Sequence, residues 1–548
     1  MHKQDTVTAM TQDAPNVTTP DPTTLRRAQS EIKAGNFAST LEALNLFARS
    51  KDEQTQLLLA ACLAGTGKAE KAAKIFCAVA AAKPTEQHPL QPFTDLLIEL
   101  GKREESLPVC RAAIALTPED ARVYDILGSI LVQMGAFDEG VDLLRQSVAL
   151  RPDNSFSANL LAMALSERGD TEECLAVLEA TLNKNPTHAG TLSNMGCALS
   201  AMGRMEDAFN FYRKAIFYNP THPQIRLNHS ISLLKAGRYA QGWTEHEWRL
   251  KLPGHSNLPS ATLMPSLGPD SDIRGKRVLI TQEEGLGDTL MYLRYIEPLA
   301  KRGAIPHLWV PDTLGDLCRR VNGAAIVQVG GDVPEFDWHC PFISLPRVFS
   351  ATDDAMGAPV PYLKADAAKI REFAALVPHN GKLNVGLIWG GAPRPTLVGA
   401  YMTDRRRSMP LETLAPLAQV QGLNLISLQK GPYADQLQTP PDGMTIYDPT
   451  DELLTMDDTA ALLMSLDVLV SVDTSCVHLA GALGKPVLLM DRFDNCWRWL
   501  HNTPTSPWYP TLRIIRQSKP REWHDVLETV CAGLRDMARY KAIRSAKA

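Results

Sequence analysis

A glycine-rich turn follows an apolar, strand-like run in the C-terminal half of the chain. The run is Val278–Ile280, and the tetrapeptide Gly285-Leu286-Gly287-Asp288 comes shortly after it. In open α/β sheets, ligands bind beyond the carboxyl ends of strands, where helices begin. The glycines would let a ligand approach the backbone, and Asp288 is a candidate general base or, alternatively, a helix cap. The dinucleotide fingerprint GxGxxG is excluded, because Leu290 stands where its third glycine is required.

A second turn carries hydroxyl groups at the start of a predicted helix. Asp473, Thr474 and Ser475 follow the apolar run Val468–Val472, and His478 lies one helical turn later. Two hydroxyls and the free N–H groups of a helix start are suited to bind a phosphate. The alternative is an ordinary capping motif with His478 packed inside the domain.

Cationic side chains follow two other predicted strands. Lys430 lies after one of them and could neutralise a departing phosphate, although it could equally be a solvated lysine. The run Arg405-Arg406-Arg407 precedes a helix predicted to start near Pro410. A charge run is usually a solvated face, but its position after the loop Trp389-Gly390-Gly391 favours a role in binding a ligand.

Four aromatic residues near the C-terminus have two interpretations. Trp497, Trp499, Trp508 and Tyr509 could stack on a base or a sugar, or they could pack between lobes. We expect packing for at least half of them, because large aromatic side chains are core-forming residues.

These candidate residues lie in a region where short apolar strands alternate with helices. Such alternation predicts parallel sheets. Two series separated near 378–382 predict two Rossmann-like lobes facing a cleft. The predicted strands are Val278–Ile280, His307–Val310, Ile326–Val329, Val385–Trp389, Leu423–Leu428, Val468–Val472 and Val487–Met490. The predicted helices are Thr289–Arg302, Ala365–Leu376, Leu411–Val420, Asp457–Leu466, Ser475–Leu483 and a closing helix at about 523–540.

The N-terminal half carries an internal repeat of 34 residues. This is the period of the tetratricopeptide unit, a helix–turn–helix. Glycine can end the first helix in a left-handed conformation, and proline closes the second. The periodic prolines are Pro84, Pro118, Pro152, Pro186 and Pro220, and the periodic glycines are Gly67, Gly101, Gly135, Gly169, Gly203 and Gly237. The clearest copy is Ala189–His222, and Gly35, two residues out of register, indicates a degenerate earlier repeat from about Thr23.

The chain is therefore predicted to have four parts. Residues 1–22 are expected to be a disordered tail, 23–250 a solenoid, 251–275 a proline-rich linker, and 276–548 an α/β domain. Within that domain, the N-lobe is expected at about 276–378 and the C-lobe at about 383–520. All nine tryptophans lie at or beyond Trp243, so the composition changes near the end of the solenoid.

Composition narrows the class of protein. Of 548 residues, 45% are hydrophobic and 21% charged, and the net charge of −5 argues against nucleic-acid binding. The most apolar stretch, Val468–Met490, is interrupted by Asp473 and Lys485, so no stable membrane insertion is expected. The ten cysteines form no CxxC pair, and the N-terminus lacks a signal-peptide pattern. We expect a cytoplasmic protein.

Several stretches of the C-terminal half resemble a known enzyme family. They are EEGLGDTLMYLRY (283–295), VGLIWGG (385–391), RRSMPLETLAPL (406–417), SLQKG (427–431), DTAALLMSLDVLVSVDTSCVHLAGALGKPV (458–487) and WRWL with SPWYP (497–510). The region from about Lys276 to Leu534 resembles the ADP-heptose:lipopolysaccharide heptosyltransferase-like glycosyltransferases, which have the two-lobed GT-B fold. With the repeats included, the chain resembles bacterial tetratricopeptide-repeat glycosyltransferases. Some of these are flagellin glycosyltransferases, whose repeats bind flagellin and whose catalytic domain attaches a nonulosonic acid.

The resemblance implies roles for individual residues. Asp288 occupies the position of the family's proposed catalytic base. Asp473, Thr474 and His478 match its donor-binding turn, while Lys430 and the arginine run, including Arg405 and Arg406, would flank the donor phosphates. Gly285, Gly287 and Ser475 complete the predicted donor site. Ser475 stands where the heptosyltransferases proper often have glycine, which puts ADP-heptose as donor in doubt.

The predicted function is an inverting protein O-glycosyltransferase. It would take a nucleotide sugar as co-substrate and need neither cofactor nor metal, with fixed positive charge in place of a cation. The acceptor would be a Ser or Thr of a protein held on the concave face of the repeats, with flagellin as the leading candidate and a nonulosonic acid such as pseudaminic or legionaminic acid as the sugar. Two alternatives are a lipopolysaccharide or polysaccharide glycosyltransferase and a non-catalytic tetratricopeptide adaptor or secretion chaperone.

Overall fold

The computed structural model describes residues 19–254, 258–351 and 356–545. Most of the tail predicted at 1–22 therefore lies outside the described residues. By their contacts the residues divide into two compact units. One comprises the described residues up to 177 with the short segment 394–401, and the other comprises the described residues of 178–393 and those from 402 onwards.

Helices in antiparallel pairs form the N-terminal part of the chain. They are α1 (Pro22–Lys33), α2 (Phe37–Leu44), α3 (Glu53–Gly65), α4 (Ala69–Ala82), α5 (Gln91–Glu99), α6 (Leu107–Leu116), α7 (Ala121–Met134), α8 (Phe137–Leu150), α9 (Ser155–Arg168), α10 (Thr171–Lys184), α11 (Ala189–Ala201), α12 (Met205–Tyr218), α13 (Pro223–Lys235) and α14 (Tyr239–His246).

The periodic glycines and prolines have the predicted conformations. The six glycines all have positive φ, between 73° and 101°, and follow the first helix of a pair. Each periodic proline comes two residues after the last residue of a second helix, as Pro118 does after α6. Gly35 also has a positive φ, of 81°, and lies between α1 and α2. The tetratricopeptide interpretation is confirmed.

The first unit also includes residues 394–401. Arg103 binds this segment, because its Nη2 donates to the carbonyl of Pro395 at 2.9 Å and its guanidinium lies 4.8 Å from the centre of the Tyr401 ring. Val398 packs against the apolar core of the helices.

In the second unit, a four-stranded parallel sheet forms the N-lobe. Its strand order is β3-β2-β1-β4, so β1 is central and pairs on both sides. The strands are β1 (Arg277–Thr281), β2 (Ile305–Val310), β3 (Ile326–Val329) and β4 (Trp338–Pro341). The helices are α15 (Leu286–Tyr292), α16 (Ile296–Lys301), α17 (Gly315–Arg319), α18 (Leu345–Val348) and α19 (Ala367–Ala374).

A six-stranded parallel sheet forms the C-lobe, and its central strands are buried on both faces, as is usual for parallel sheets. The strand order is β10-β9-β8-β5-β6-β7. The strands are β5 (Leu383–Ile388), β6 (Leu423–Ser427), β7 (Ile446–Tyr447), β8 (Val468–Val472), β9 (Val487–Asp491) and β10 (Leu512–Arg516). The helices are α20 (Val398–Arg407), α21 (Met456–Met464), α22 (Ser475–Ala482) and α23 (His524–Ser545). The predicted fold class, a tetratricopeptide solenoid followed by an α/β domain whose two lobes each contain a parallel sheet, is confirmed.

Three local predictions need correction. The predicted helix Leu411–Val420 is a 3₁₀ helix over Leu411–Gln419, since Pro416 inside it cannot donate the hydrogen bond that an α-helix requires. The single helix predicted for Thr289–Arg302 is two helices, α15 and α16, with a 3₁₀ turn between them. The arginine run, predicted only to precede a helix near Pro410, also forms the last turn of an unpredicted helix, α20.

The segment predicted as a linker, 251–275, packs against the N-lobe where it is described. The N–H of Met264 donates to the carbonyl of His339 at 2.8 Å, and the N–H of Leu267 donates to that of Val348 at 2.8 Å. Met264 and Ile273 are buried in the core of the lobe. Residues 255–257 of this segment lie outside the described residues.

The last solenoid helix also belongs to that core. Tyr239 and Trp243 of α14 are buried in the same apolar cluster as the strands and helices of the N-lobe. The ring centre of Trp243 lies 6.4 Å from that of Tyr292 and 5.4 Å from that of Trp497. The composition thus changes at α14, a helix that follows the sequence period of the solenoid but packs in the core of the α/β domain.

Gly196→Ala should destabilise the second unit. A Cβ at this position would lie 2.8 Å from Cζ of the Tyr212 ring, which is fully buried and cannot move aside. Overpacking of this kind costs about 1–3 kcal/mol, and thermal unfolding followed by circular dichroism should show a lower Tm. The matched control is Gly399→Ala in α20, where no atom lies within 4 Å of the new methyl group. A Tm for Gly196→Ala at or above that of the control would contradict the packing described.

Candidate functional site

The two turns singled out from the sequence meet where the lobes pack together. Gly287, in the first turn of α15, faces α22 of the C-lobe so closely that a Cβ would lie 2.8 Å from Cδ2 of His478 and 3.4 Å from Cα of Ser475. Close packing against α22 therefore requires a glycine here, and the predicted contact of Gly287 with a donor stays a prediction. Gly285, with an ordinary φ of −77°, has no comparable contact.

Asp288 has both a capping contact and an ion pair. Its Oδ2 accepts a hydrogen bond from the N–H of Gly285 at 3.2 Å, while its Oδ1 pairs with the guanidinium of Arg498 from the C-lobe. The carboxylate is 15% exposed and the arginine 11%. Burial raises the pKa of Asp288 above its usual value, and the positive charge of Arg498 opposes that rise.

Arg498 was not identified as a site residue from the sequence. It lies in the stretch Trp497-Arg498-Trp499, with its guanidinium 4.5 Å from the Trp497 ring centre, and it also reaches Glu284 at 3.3 Å. In the sequence, Arg498 is a single arginine between two tryptophans, and a cation–π contact alone would explain that pattern. Only the fold brings it to Asp288.

His478 is a buried, neutral imidazole. Burial lowers its pKa to about 4. Its Nδ1 lies 3.0 Å from the hydroxyl of Tyr509, and its ring stacks on Trp499 with the centres 5.1 Å apart. The packing alternative therefore describes the side chain of His478. Trp497, Trp499, Trp508 and Tyr509 are likewise all buried, so the packing interpretation holds for these aromatics too.

The turn before α22 presents backbone groups to the site. Thr474 is the N-cap residue, but its hydroxyl lies 3.2 Å from that of Ser471 and makes no capping hydrogen bond. The first N–H groups of a helix have no acceptor within the helix. The carbonyl of Asp473 accepts a hydrogen bond from Nη1 of Arg407 at 2.8 Å. A guanidinium is thereby fixed beside the start of α22.

The three arginines of the run have different surroundings. Arg407 pairs with Asp404, a fully buried carboxylate, and both side chains press against Gly391, where no Cβ would fit. Arg406 reaches Asp494 at 3.3 Å. Arg407 thus contacts the predicted donor turn through the carbonyl of Asp473, and the predicted donor contacts of Arg405 and Arg406 stay predictions.

Lys430 is hydrogen-bonded to backbone carbonyls. Its Nζ donates to the carbonyls of Thr450 and Leu453, each at 2.7 Å, and so holds the loop that follows β7. Of the predicted site residues, the structure brings together Gly287, Asp288, Ser475 and His478, with Asp473 and Thr474 next to them. Lys430 instead contacts backbone carbonyls of a loop.

A lysine from the solenoid joins the charged groups of the C-lobe. Lys235, at the end of α13, is buried, donates from Nζ to the carbonyl of Ser200 at 3.1 Å, and has its pKa lowered by burial to about 8. It faces Asp494. Burial raises the pKa of Asp494, but the positive charges of Arg406 and Arg492 outweigh that effect and hold this pKa well below its usual value. No sequence motif pointed to this contact.

Within the described residues, no group of three or more His, Cys, Asp or Glu side chains could hold a metal ion. This absence does not test the predicted metal independence, which stays a prediction. None of the helices that the structure describes is long and apolar enough to cross a membrane.

Sequence comparisons identify the repeats and one distant curated relative. Models of the family described as Tetratricopeptide repeat match residues 121–154 and 188–216. Protein FlbA of Caulobacter vibrioides is 26% identical over 331 residues, which are 56% of this chain and 54% of that protein. The chain thus matches about half the length of this relative.

Solved structures resemble parts of the chain. The glycosyl transferase family 9 protein from Veillonella parvula DSM 2008 is 11% identical, with 49% of this chain and 99% of that one covered and a TM-score of 0.37. YrrB, a TPR protein with an unusual peptide-binding site, is 16% identical, with 33% and 92% covered and a TM-score of 0.24. MamA from Desulfovibrio magneticus RS-1 is 20% identical, with 30% and 95% covered and a TM-score of 0.20.

The two glycines of the first turn should respond differently to substitution. Gly287→Ala forces a methyl group against His478 and Ser475 and should destabilise the protein by about 1–3 kcal/mol. Gly285→Ala places its Cβ 3.5 Å from Oδ2 of Asp288, an ordinary contact, and should cost less than about 1 kcal/mol. Urea unfolding of both variants measures the difference. Equal destabilisation would show that α15 and α22 do not pack as described.

Proposed function

We propose that the protein is a nucleotide-sugar-dependent glycosyltransferase that modifies a protein held by its repeats. One observation carries the proposal: the Asp288 turn of the N-lobe and the Asp473–Ser475 turn of the C-lobe, far apart in sequence, pack against each other through Gly287. These are the two turns in which the resembled family has its proposed base and its donor contacts. A buried carboxylate and a fixed cation therefore lie where the two lobes meet.

Asp288 is proposed as the general base. Its Arg498 partner opposes the effect of burial and favours the ionised form that a base requires. A hydroxyl of the acceptor would lose its proton to Asp288 while its oxygen attacks the anomeric carbon. The bond from that carbon to the donor phosphate breaks, the nucleotide leaves with the electron pair, and the configuration inverts.

Arg407 and the start of α22 are proposed to stabilise the leaving nucleotide. Asp404 and the carbonyl of Asp473 hold the Arg407 guanidinium in place, so little reorganisation is required when negative charge develops. The N–H groups at the start of α22 add partial positive charge. Fixed charge of this kind would take the role that a metal ion plays in other transferases.

The solenoid supplies a surface suited to an acceptor protein. On α9, the side chains of Phe156, Leu160 and Met163 lie on one face at helical spacing, and Phe156 and Met163 are among the exposed large apolar residues. An apolar stripe left exposed on a repeat helix is typical of a protein-binding surface. We propose the concave face of the repeats as the acceptor site.

Flagellin is the proposed acceptor and a nonulosonic acid the proposed sugar, both on the resemblance described above. The test is the intact mass of flagellin co-expressed with this protein in cells that make nonulosonic acids. We expect a mass increase equal to one or more sugar residues. An unshifted flagellin together with sugar on lipid-linked glycan would favour a polysaccharide transferase, and no nucleotide binding at all would favour an adaptor.

Asp288→Asn should lower the rate of transfer by at least about 100-fold, the usual contribution of a positioned general base. The substitution keeps the shape and the Gly285 contact, so acceptor binding should be unchanged in a pull-down assay. Asp332→Asn, an exposed aspartate of the same lobe, serves as the matched control and should transfer normally. Transfer by Asp288→Asn at the control rate would rule out the base assignment.

Arg498→Gln should shift the pH dependence of transfer. Removing the cation that lowers the pKa of Asp288 leaves the burial effect unopposed, so this pKa rises and the base is ionised only at higher pH. The acidic limb of kcat/KM should therefore move to higher pH than in the wild type. Arg513→Gln, on an exposed position of β10, should leave the profile in place. A shift to lower pH would contradict the pairing of Arg498 with Asp288.

A further inference from the structure

The last helix of the C-lobe, α23, is buried on one side and exposed on the other. Val526, Val530 and Leu534 are buried in the core of the lobe, and Met537 and Ala538 pack against that core. Residues three or four positions apart share a face of a helix. The large side chains on the other side of its second half are all exposed, and they form what we call the outer face: Arg535, Asp536, Arg539, Tyr540, Ile543 and Arg544.

The outer face presents two large apolar side chains to solvent. Tyr540 is 63% exposed and Ile543 is 56% exposed. Single apolar side chains are common on protein surfaces, but these two are three positions apart and therefore adjacent. The guanidinium of Arg544 lies 5.8 Å from the centre of the Tyr540 ring, so a cation lies next to the apolar pair.

Positive charge surrounds this apolar pair. The outer face has three arginines, Arg535, Arg539 and Arg544, and one acidic residue, Asp536, whose carboxylate is 4.0 Å from Arg539. The face is therefore positive, although the whole chain has a net charge of −5. Basic residues clustered on an amphipathic helix are attracted to anionic lipid headgroups.

This arrangement fits a lipid surface better than a protein surface. A standard protein interface buries about 800 Å² per partner, and charged residues are depleted at its centre. Here the apolar part consists of two side chains with guanidinium groups beside them. Helices that lie on membranes have this pattern, because their basic side chains stay among the headgroups while apolar side chains enter the acyl boundary. Tyrosine is enriched at that depth.

The outer face lies away from the proposed donor site. Ala538 approaches Gly422, where a Cβ would lie 3.6 Å from that of the alanine, and Nζ of Lys541 pairs with Asp467 at 2.6 Å. Gly422 and Asp467 directly precede β6 and β8, so this part of α23 lies at the amino ends of the strands. The Asp473–Ser475 turn follows the carboxyl end of β8. A surface bound to the outer face would therefore leave that turn uncovered.

We infer that the outer face of α23 binds reversibly to a membrane surface rich in anionic phospholipids. Tyr540 and Ile543 would enter the boundary between headgroups and acyl chains, and the three arginines would contact lipid phosphates. Binding of this kind lies on the membrane without crossing it, so it requires no stable insertion. It does not depend on the proposed transfer reaction, and an Asp288→Asn variant should bind in the same way.

The test is co-sedimentation of the full-length protein with vesicles of phosphatidylglycerol and phosphatidylcholine in equal parts. We expect binding at low ionic strength, release at high salt because salt screens the attraction, and little binding to vesicles of phosphatidylcholine alone. Arg539→Gln should weaken the partition by about fivefold, the effect of one basic side chain near an anionic surface. Ile543→Asn should weaken it by about fivefold or more, because it removes apolar contact with the acyl boundary.

Two matched controls come from the N-lobe. Arg274→Gln removes one charge from an exposed arginine, and Ile326→Asn replaces an isoleucine of similar exposure to Ile543. Both should bind the mixed vesicles like the wild type. All four substituted positions are exposed, so the variants should unfold at nearly the wild-type temperature. Equal partition of Arg539→Gln or of Ile543→Asn with its control would overturn the inference, as would equal binding to vesicles with and without phosphatidylglycerol.

Light scattering separates a lipid surface from a second copy of the chain. If the outer face joined two copies, the wild type would be dimeric without lipid, Ile543→Asn would be monomeric, and neither would sediment with vesicles. That result would also overturn the inference. We expect the same molar mass for both proteins and a difference only in the presence of anionic vesicles.

Discussion

The indole of Trp243 connects the last helix of the solenoid to both lobes of the α/β domain. It packs edge-on against Tyr292, one helical turn beyond Asp288 in the N-lobe, and against Trp497, the neighbour of Arg498 in the C-lobe. Aromatic contacts of this geometry each contribute about 0.5–1.5 kcal/mol beyond the burial of area. Trp243, which neither lobe supplies, therefore packs close to both members of the Asp288–Arg498 pair. An α/β half expressed without α14 would expose Tyr292 and Trp497 to water.

Charged contacts hold the loop between β1 and α15 from two sides. Arg249, just beyond α14, is buried and pairs with Glu283 at 2.8 Å, while the next residue, Glu284, reaches Arg498 at 3.3 Å. Buried ion pairs add little net stability, because desolvation offsets their attraction, but an unpaired partner is costly. The loop between β1 and α15 is thus confined to one position. Asp288 lies in the first turn of α15, which follows this loop, so the end of the solenoid contributes a contact close to the proposed base.

Local chemistry explains which features the sequence predicted well. The positive φ of Gly135 and the chain reversal at Pro118 follow from the conformational preferences of single residues, so a 34-residue period was sufficient to predict the solenoid. Continuous apolar runs likewise predicted the buried strands. The partners of the site residues could not be predicted in the same way. Asp288 and Arg498 are about 200 residues apart, and Lys430 has the same local sequence whether it binds a phosphate or, as here, two carbonyls. Such choices depend on tertiary contacts that no periodicity encodes.

The cations expected to bind donor phosphates are already engaged by protein groups, and the nature of those partners decides which of them remain suited to a ligand. The ammonium of Lys430 has three N–H donors, of which two are used by carbonyls. The guanidinium of Arg407 has five, and its contacts with Asp404 and Asp473 orient the group without using all of them. A phosphate can therefore bind the oriented arginine through more than one N–H group, whereas the lysine has a single N–H group left. This difference in donor number, and not the difference in position along the sequence, makes the arginine run the stronger candidate for recognising the leaving group.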